Sequence, residues 1–200
     1  MSFFIVPFMD KDGVEDGDQG KNRKPWDHLS DYGVDNIYKC TGALRQQVPE
    51  WAQGNLNLAL DLHCPGLRGK WGTTIYIVGS SNEEYASKQR AFMDILKQEN
   101  KGEIKLHPTN SIIEYGTAWN GGTPAKTKKT TEKPTAKKTR SSQIGFMRWA
   151  SQQGGDLFFG STLEIPYAKN NEQMILPHNT RLFGKDLAHA IATYLQNPEP

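Results

Sequence analysis

Two runs of residues end on side chains that could do hydrolytic chemistry. The first, Asn57-Leu58-Ala59-Leu60-Asp61-Leu62-His63, ends on a histidine. The second, Leu157-Phe158-Phe159-Gly160-Ser161-Thr162-Leu163-Glu164, ends on a carboxylate. A neutral imidazole is a good ligand for Zn²⁺, and a glutamate beside a metal-bound water can take its proton. His63 is thus a candidate metal ligand and Glu164 a candidate general base. A zinc site also needs further protein ligands. No Cys-x-x-Cys supplies them: Cys40 and Cys64 are the only cysteines, and they read as reduced, partly buried thiols. The acidic run Asp10-Lys11-Asp12-Gly13-Val14 invites a calcium-loop reading. It fails at Val14, where a third ligand would stand, and no glutamate closes the loop.

Both runs read as strands, and the elements around them must bring their ends together. Two hundred residues suit one domain or a piece of a larger one. Nineteen glycines and eleven prolines argue for a loop-rich chain over a helical bundle. A net charge of +2 argues against a polyanion binder. Residues 3–8 are apolar and predict a buried strand. The run is too short for a membrane span and has no basic leader of a secretory signal. A chain opening inside a core strand carries the expectation that upstream sequence has been lost. Residues 10–36 read as a long irregular stretch.

Leu44, Val48 and Trp51 predict a short helix within 41–53. The run to His63 is stopped by Cys64-Pro65-Gly66. Thr73–Val78 predicts a strand, and Asn82 caps a predicted helix over 83–98. Residues 120–142 form a Lys/Thr-rich segment. Seven basic residues and one acid lie within 123–140, with no aromatic to stack on a base. It reads as a solvated, flexible loop. Ile144, Phe146 and Trp149 predict a helix before the run to Glu164. Thr180 caps a last amphipathic helix to Gln196. Alternating helices and doubly apolar strands predict an α/β fold with a mixed, mostly parallel sheet covered by helices on both faces. His63 and Glu164 would then stand at carboxyl ends of strands, where open α/β sheets place ligands.

Four segments in this order and spacing carry a resemblance: Ile5-Val6-Pro7 with Asp12-Gly13-Val14; Asn22-Arg23 followed by Asp27-His28 and Asp31-Tyr32; Asp61-Leu62-His63; and Thr162-Leu163-Glu164-Ile165-Pro166-Tyr167. Together they resemble the zinc carboxypeptidases of the carboxypeptidase A type over most of the chain. The resemblance implies an N-terminally truncated carboxypeptidase-like fold, with residues 1–200 as part of a catalytic domain. It implies Zn as cofactor, His63 as third zinc ligand, and Glu164 as the base that activates the zinc-bound water. It implies Arg23 as the arginine that polarises the scissile carbonyl, and a peptide or amide substrate with a free carboxylate. Neither nucleic acid nor membrane is an implied partner.

The chain departs from that family in two places. The family takes its first two zinc ligands from a His-x-x-Glu upstream of the Ile-Val-Pro strand, and none of the five histidines here begins such a motif. Where the family has an Asn-Arg pair to clamp the substrate carboxylate, this chain has Leu29-Ser30. Neither Tyr115 nor Tyr167 can be assigned to the family's substrate-capping tyrosine. The expectation is a metallocarboxypeptidase-like protein with impaired catalysis. A non-catalytic module that binds a peptide or a partner protein stays open beside it. So do plainer readings of each residue: His63 as a hydrogen-bonded structural histidine, Glu164 as an ordinary strand charge, and Arg23 as part of a solvated basic surface with Lys21 and Lys24.

Overall fold

The computed structural model describes residues 1–18, 23–67, 69–121, 144–155 and 158–197. Asn22, Lys21, Leu157 and the Lys/Thr-rich segment from residue 122 onward lie outside them. The chain divides into two compact units, residues 1–56 with 129–158 and residues 57–128 with 159–200. Among the described residues no helix is long and apolar enough to cross a membrane.

The first unit is helical where it is regular. Residues 3–8 form no strand: Phe3, Ile5, Val6 and Phe8 are exposed. Composition alone favours a strand there, but among the described residues no neighbouring strand supplies a ladder. The stretch after it is not wholly irregular, because Asp10 caps a short helix, α1 (Lys11–Asp16), by accepting from the Gly13 amide at 3.1 Å. The same carboxylate grips Arg23. A side chain at position 13 would collide with the Arg23–Asp10 pair, so Gly13 is what lets the pair lie against the helix. A single 3₁₀ turn spans His28–Ser30, and α2 follows at Lys39–Ala52. Leu44 and Val48 of α2 are buried, but Trp51 is 40% exposed and meets only the edge of Phe4 among the described rings.

Asp31 organises this unit. It is 2% exposed and accepts from the Trp26 indole (2.9 Å), the Ile37 and Tyr38 amides (3.0 and 2.9 Å) and the Thr41 hydroxyl (2.6 Å). These donors fasten the loop to the first turn of α2. Next to it, Tyr32 packs on Phe146 and Trp149 of α4 (Phe146–Ser151), with ring centroids 5.3 and 4.9 Å away.

The second unit is mixed α/β. Its sheet has the order β1 (Leu58–His63), β4 (Phe159–Glu164), β2 (Tyr76–Val78), β3 (Ile112–Ile113). β1 is parallel to β4 and β2 to β3, while β2 is antiparallel to β4. Two helices pack together on one face: α3 (Glu83–Glu99), capped by Asn82, whose side chain accepts from the Tyr85 amide at 3.2 Å, and α5 (Pro177–Gln196). Phe92 of α3, Tyr194 of α5 and Phe159 of β4 form an aromatic cluster with centroids 4.9–5.6 Å apart. Within this unit the helices lie on one face only; on the other, residues from β2 and its flanking loops lie beside the end of β4.

Three local readings shift. β2 is shorter than Thr73–Val78, because Lys70–Thr73 makes a 3₁₀ turn and the side chain of Asn170 takes the Ile75 amide at 3.2 Å. That asparagine lies on a small hairpin, β5 (Lys169–Asn170) and β6 (Gln173–Met174). α5 starts earlier than Thr180 because Pro177 fits the first helical position and Asn179 accepts from the Leu176 amide at 2.8 Å. Cys64 is exposed rather than partly buried.

The buried Asp31 yields a stability prediction. Burial alone raises a carboxyl pKa; here the hydrogen bonds from Thr41, Tyr38, Ile37 and Trp26 outweigh it and hold Asp31 below the usual carboxylate range. Its contribution is therefore present above the unfolded value of about 3.9 and is lost as pH falls through the lower folded value. Asp31→Asn should cost on the order of 3 kcal/mol near neutrality. Chemical denaturation across a pH series should show that gap closing in acid.

Candidate active site

The residues that carry the site sit at the carboxyl ends of two neighbouring parallel strands. In the β1–β4 register Leu58 pairs with Phe159 and His63 with Glu164. Paired residues of a ladder share a face. Phe159 and Leu163 point to the α3–α5 core, so His63, Glu164 and Asp61 point to the opposite face. The register is held from α3: the Gln89 amide donates to the Ser161 hydroxyl and the Val78 carbonyl, both at 3.0 Å, and its oxygen accepts from the Ser80 amide at 2.8 Å. One buried side chain thus ties β4 to β2.

His63 Nδ1 lies 3.3 Å from Glu164 Oε2 and 3.1 Å from the Cys64 carbonyl oxygen. Glu164 is 6% exposed, so the contact is made largely out of water. The Glu164 hydrogen bond, with the charge of Asp61 adding to it, raises the His63 pKa from its usual 6.5 to about 9 against the opposing effect of burial. His63 is therefore protonated at neutral pH, with its Nδ1 proton directed at Glu164 Oε2.

Sequence reading misses the neighbours of this pair. Tyr76 is the register partner of Glu164 on β2 and is 1% exposed. Burial and the nearby Glu164 charge push its phenol pKa up, while a hydrogen bond with Trp119 pulls it the other way. Its ring lies 5.1 Å from Trp71 and 6.5 Å from Trp119. On the other side the Tyr167 hydroxyl reaches the Cys64 thiol. These contacts have one weak signature in the sequence, tryptophans and tyrosines near strand ends, and nothing in their spacing ties them to His63.

Arg23 belongs to the first unit, whereas His63 and Glu164 belong to the second. Its guanidinium grips both oxygens of Asp10, with Nη2 2.8 Å from Oδ1, and lies 3.8 Å from Asp18. The carboxylates around it raise its pKa further. Arg23 thus spends two of its five donors on Asp10. Leu29 and Ser30 lie on the 3₁₀ turn before Asp31.

Among the described residues no three of His, Cys, Asp and Glu are grouped to hold a metal ion. His63 Nδ1 is engaged with Glu164. No protein-family model, curated protein or solved structure matches this chain.

The pair's titration has a checkable sign. The folded pKa of His63 lies above its unfolded value, so the stability it contributes is whole below about pH 6.5 and is lost as pH rises through about 9. The His63 ring resonance should titrate near 9 by NMR. In Glu164→Gln it should move back toward 6.5, and the wild-type advantage in thermal stability over that variant should fade across the same interval.

Proposed function

We propose that this chain is a domain of the zinc carboxypeptidase type whose own residues supply a general base and one metal-ligand position, and that by itself it is a weak or inactive hydrolase. One observation carries the reading: His63 and Glu164 meet on one face at the ends of adjacent parallel strands. That is where a hydrolytic site needs an imidazole and a base together. The reaction class is cleavage of a peptide or amide bond next to a free carboxylate. Glu164 is the proton acceptor; its burial beside Tyr76 keeps competing water away. Two features argue against strong catalysis by these residues alone: Leu29-Ser30 cannot fork onto a carboxylate, and Arg23 spends two of its donors on Asp10.

The same features favour a second reading, a module that binds a peptide or protein partner without turning it over. Its discriminating property is peptide affinity that a chelator leaves unchanged.

The purified chain, equilibrated with Zn²⁺ and desalted, should hold well under one zinc per molecule. A reporter peptide that releases its C-terminal residue should be cut no faster than in buffer. Stoichiometric zinc, together with zinc-dependent turnover that disappears in Glu164→Gln, would establish a competent enzyme and refute the weak-hydrolase proposal.

A further inference from the structure

The four-stranded sheet has two edges, and they are built differently. β3 is two residues long, and the Asn120 side chain donates to the carbonyls of Ile113 (2.9 Å) and Gly79 (2.8 Å), closing the 114–121 turn over its end. β1 is six residues long and carries neither lysine nor proline. Its carbonyls at Asn57 and His63 accept from the Phe159 and Ile165 amides at 2.9 and 2.7 Å. Those bonds set the phase of the strand: odd-numbered residues face β4, and the amides and carbonyls of Leu58, Leu60 and Leu62 face away from the sheet. Among the described residues no second strand pairs with them. A strand edge of this kind is a template for another strand, and β1 lacks the lysine, proline and short length that commonly blunt one.

We propose that β1 is the contact between two copies of this chain, paired antiparallel to itself across a two-fold axis with Leu60 at the centre. An occupant of this edge must present outward backbone groups at every second residue. It must be apolar on the face of Leu58, Leu60 and Leu62, and it must keep acids away from Asp61. β1 itself meets all three conditions. With Leu60 opposite Leu60, Leu58 of each copy lies opposite Leu62 of the other, and each of these pairs exchanges two backbone hydrogen bonds. Leu58 and Leu60 already pack against the α3–α5 core, whereas Leu62 is 57% exposed and continues their row into solvent. Pairing covers it.

Charge selects the register. Centred on Leu60, Asp61 faces Ala59 of the second copy. Centred on Asp61, two carboxylates would stand directly opposite, which is destabilising. Centred on Ala59, Leu62 would stay uncovered. The self-complementarity of the patch makes the contact isologous, so it closes at two copies.

Sedimentation equilibrium of the whole chain over a concentration series should give a monomer–dimer equilibrium. Leu62→Lys replaces an exposed side chain and should keep the wild-type circular-dichroism melt. Because the substitution enters the contact twice, it should weaken the dimer about tenfold. In a Cys40→Ser, Cys64→Ser background, oxidised Leu60→Cys should form disulfide-linked dimers, since directly opposed Cα atoms lie within disulfide reach. Leu62→Cys should not, because the two positions 62 stand four residues apart along the ladder. A chain that is monomeric at every concentration overturns the proposal. So does a dimer that ignores Leu62→Lys and gives no Leu60→Cys cross-link, since its contact would be another surface, such as the exposed Phe3, Ile5 and Val6.

Discussion

The in-register parallel pairing of β1 with β4 is the constraint on which the rest of the second unit depends. His63 and Glu164 are 101 residues apart in the chain and become neighbours only through that ladder. Side chains alternate across a strand, so a slip of one residue would send either group to the helix side and abolish the pair. The register is fixed mainly at β4. Phe159 is locked between Phe92 and Tyr194, and Ser161 is held by Gln89. The helices therefore position the site from the face opposite to it.

Electrostatics adds a second constraint on the same pair. A carboxylate as buried as Glu164 is costly unless it meets a charge or hydrogen-bond donors. His63 meets that need on one side, and Tyr76 and the aromatic side chains around it wall the other side without adding charge. The imidazole that stabilises Glu164 is the same group a metal would require in neutral form with its nitrogen lone pair available. In this arrangement the pair satisfies itself. Each group thus offsets the cost of burying the other.

The ends of the two site strands were legible because a short apolar run broken by proline or followed by a turn signal is a strong local pattern. α3 and α5 were legible by periodicity, and the Asn82 cap by residue type. What the sequence did not reveal is set by partners distant along the chain. Residues 3–8 have the composition of a strand, but a strand exists only with a neighbour, and none pairs with them among the described residues. The Arg23–Asp10 grip depends on a loop closing back on a helix cap, and charges spaced that way leave no periodic trace. Tyr76 lies next to Glu164 because β2 runs antiparallel to β4, a topological fact that no local pattern encodes. β3 is too short to have a pattern at all.

The position of His63 on an edge strand bears on both functional readings. Glu164 stands on a strand with neighbours on both sides, so its backbone is fixed. Among the described residues His63 is held through β4 alone, and the outward backbone groups at Leu58, Leu60 and Leu62 gain no ladder. Precise catalytic geometry requires supporting groups to lock the reacting side chains. A strand paired on one side locks them less well than a strand paired on both. Any polypeptide that adds to β1 would stiffen the strand that presents His63 while leaving the site face uncovered, since the new ladder extends in the plane of the sheet. The strand edge and the pair are thus physically linked: whatever occupies the edge also sets how firmly the imidazole is aimed at Glu164.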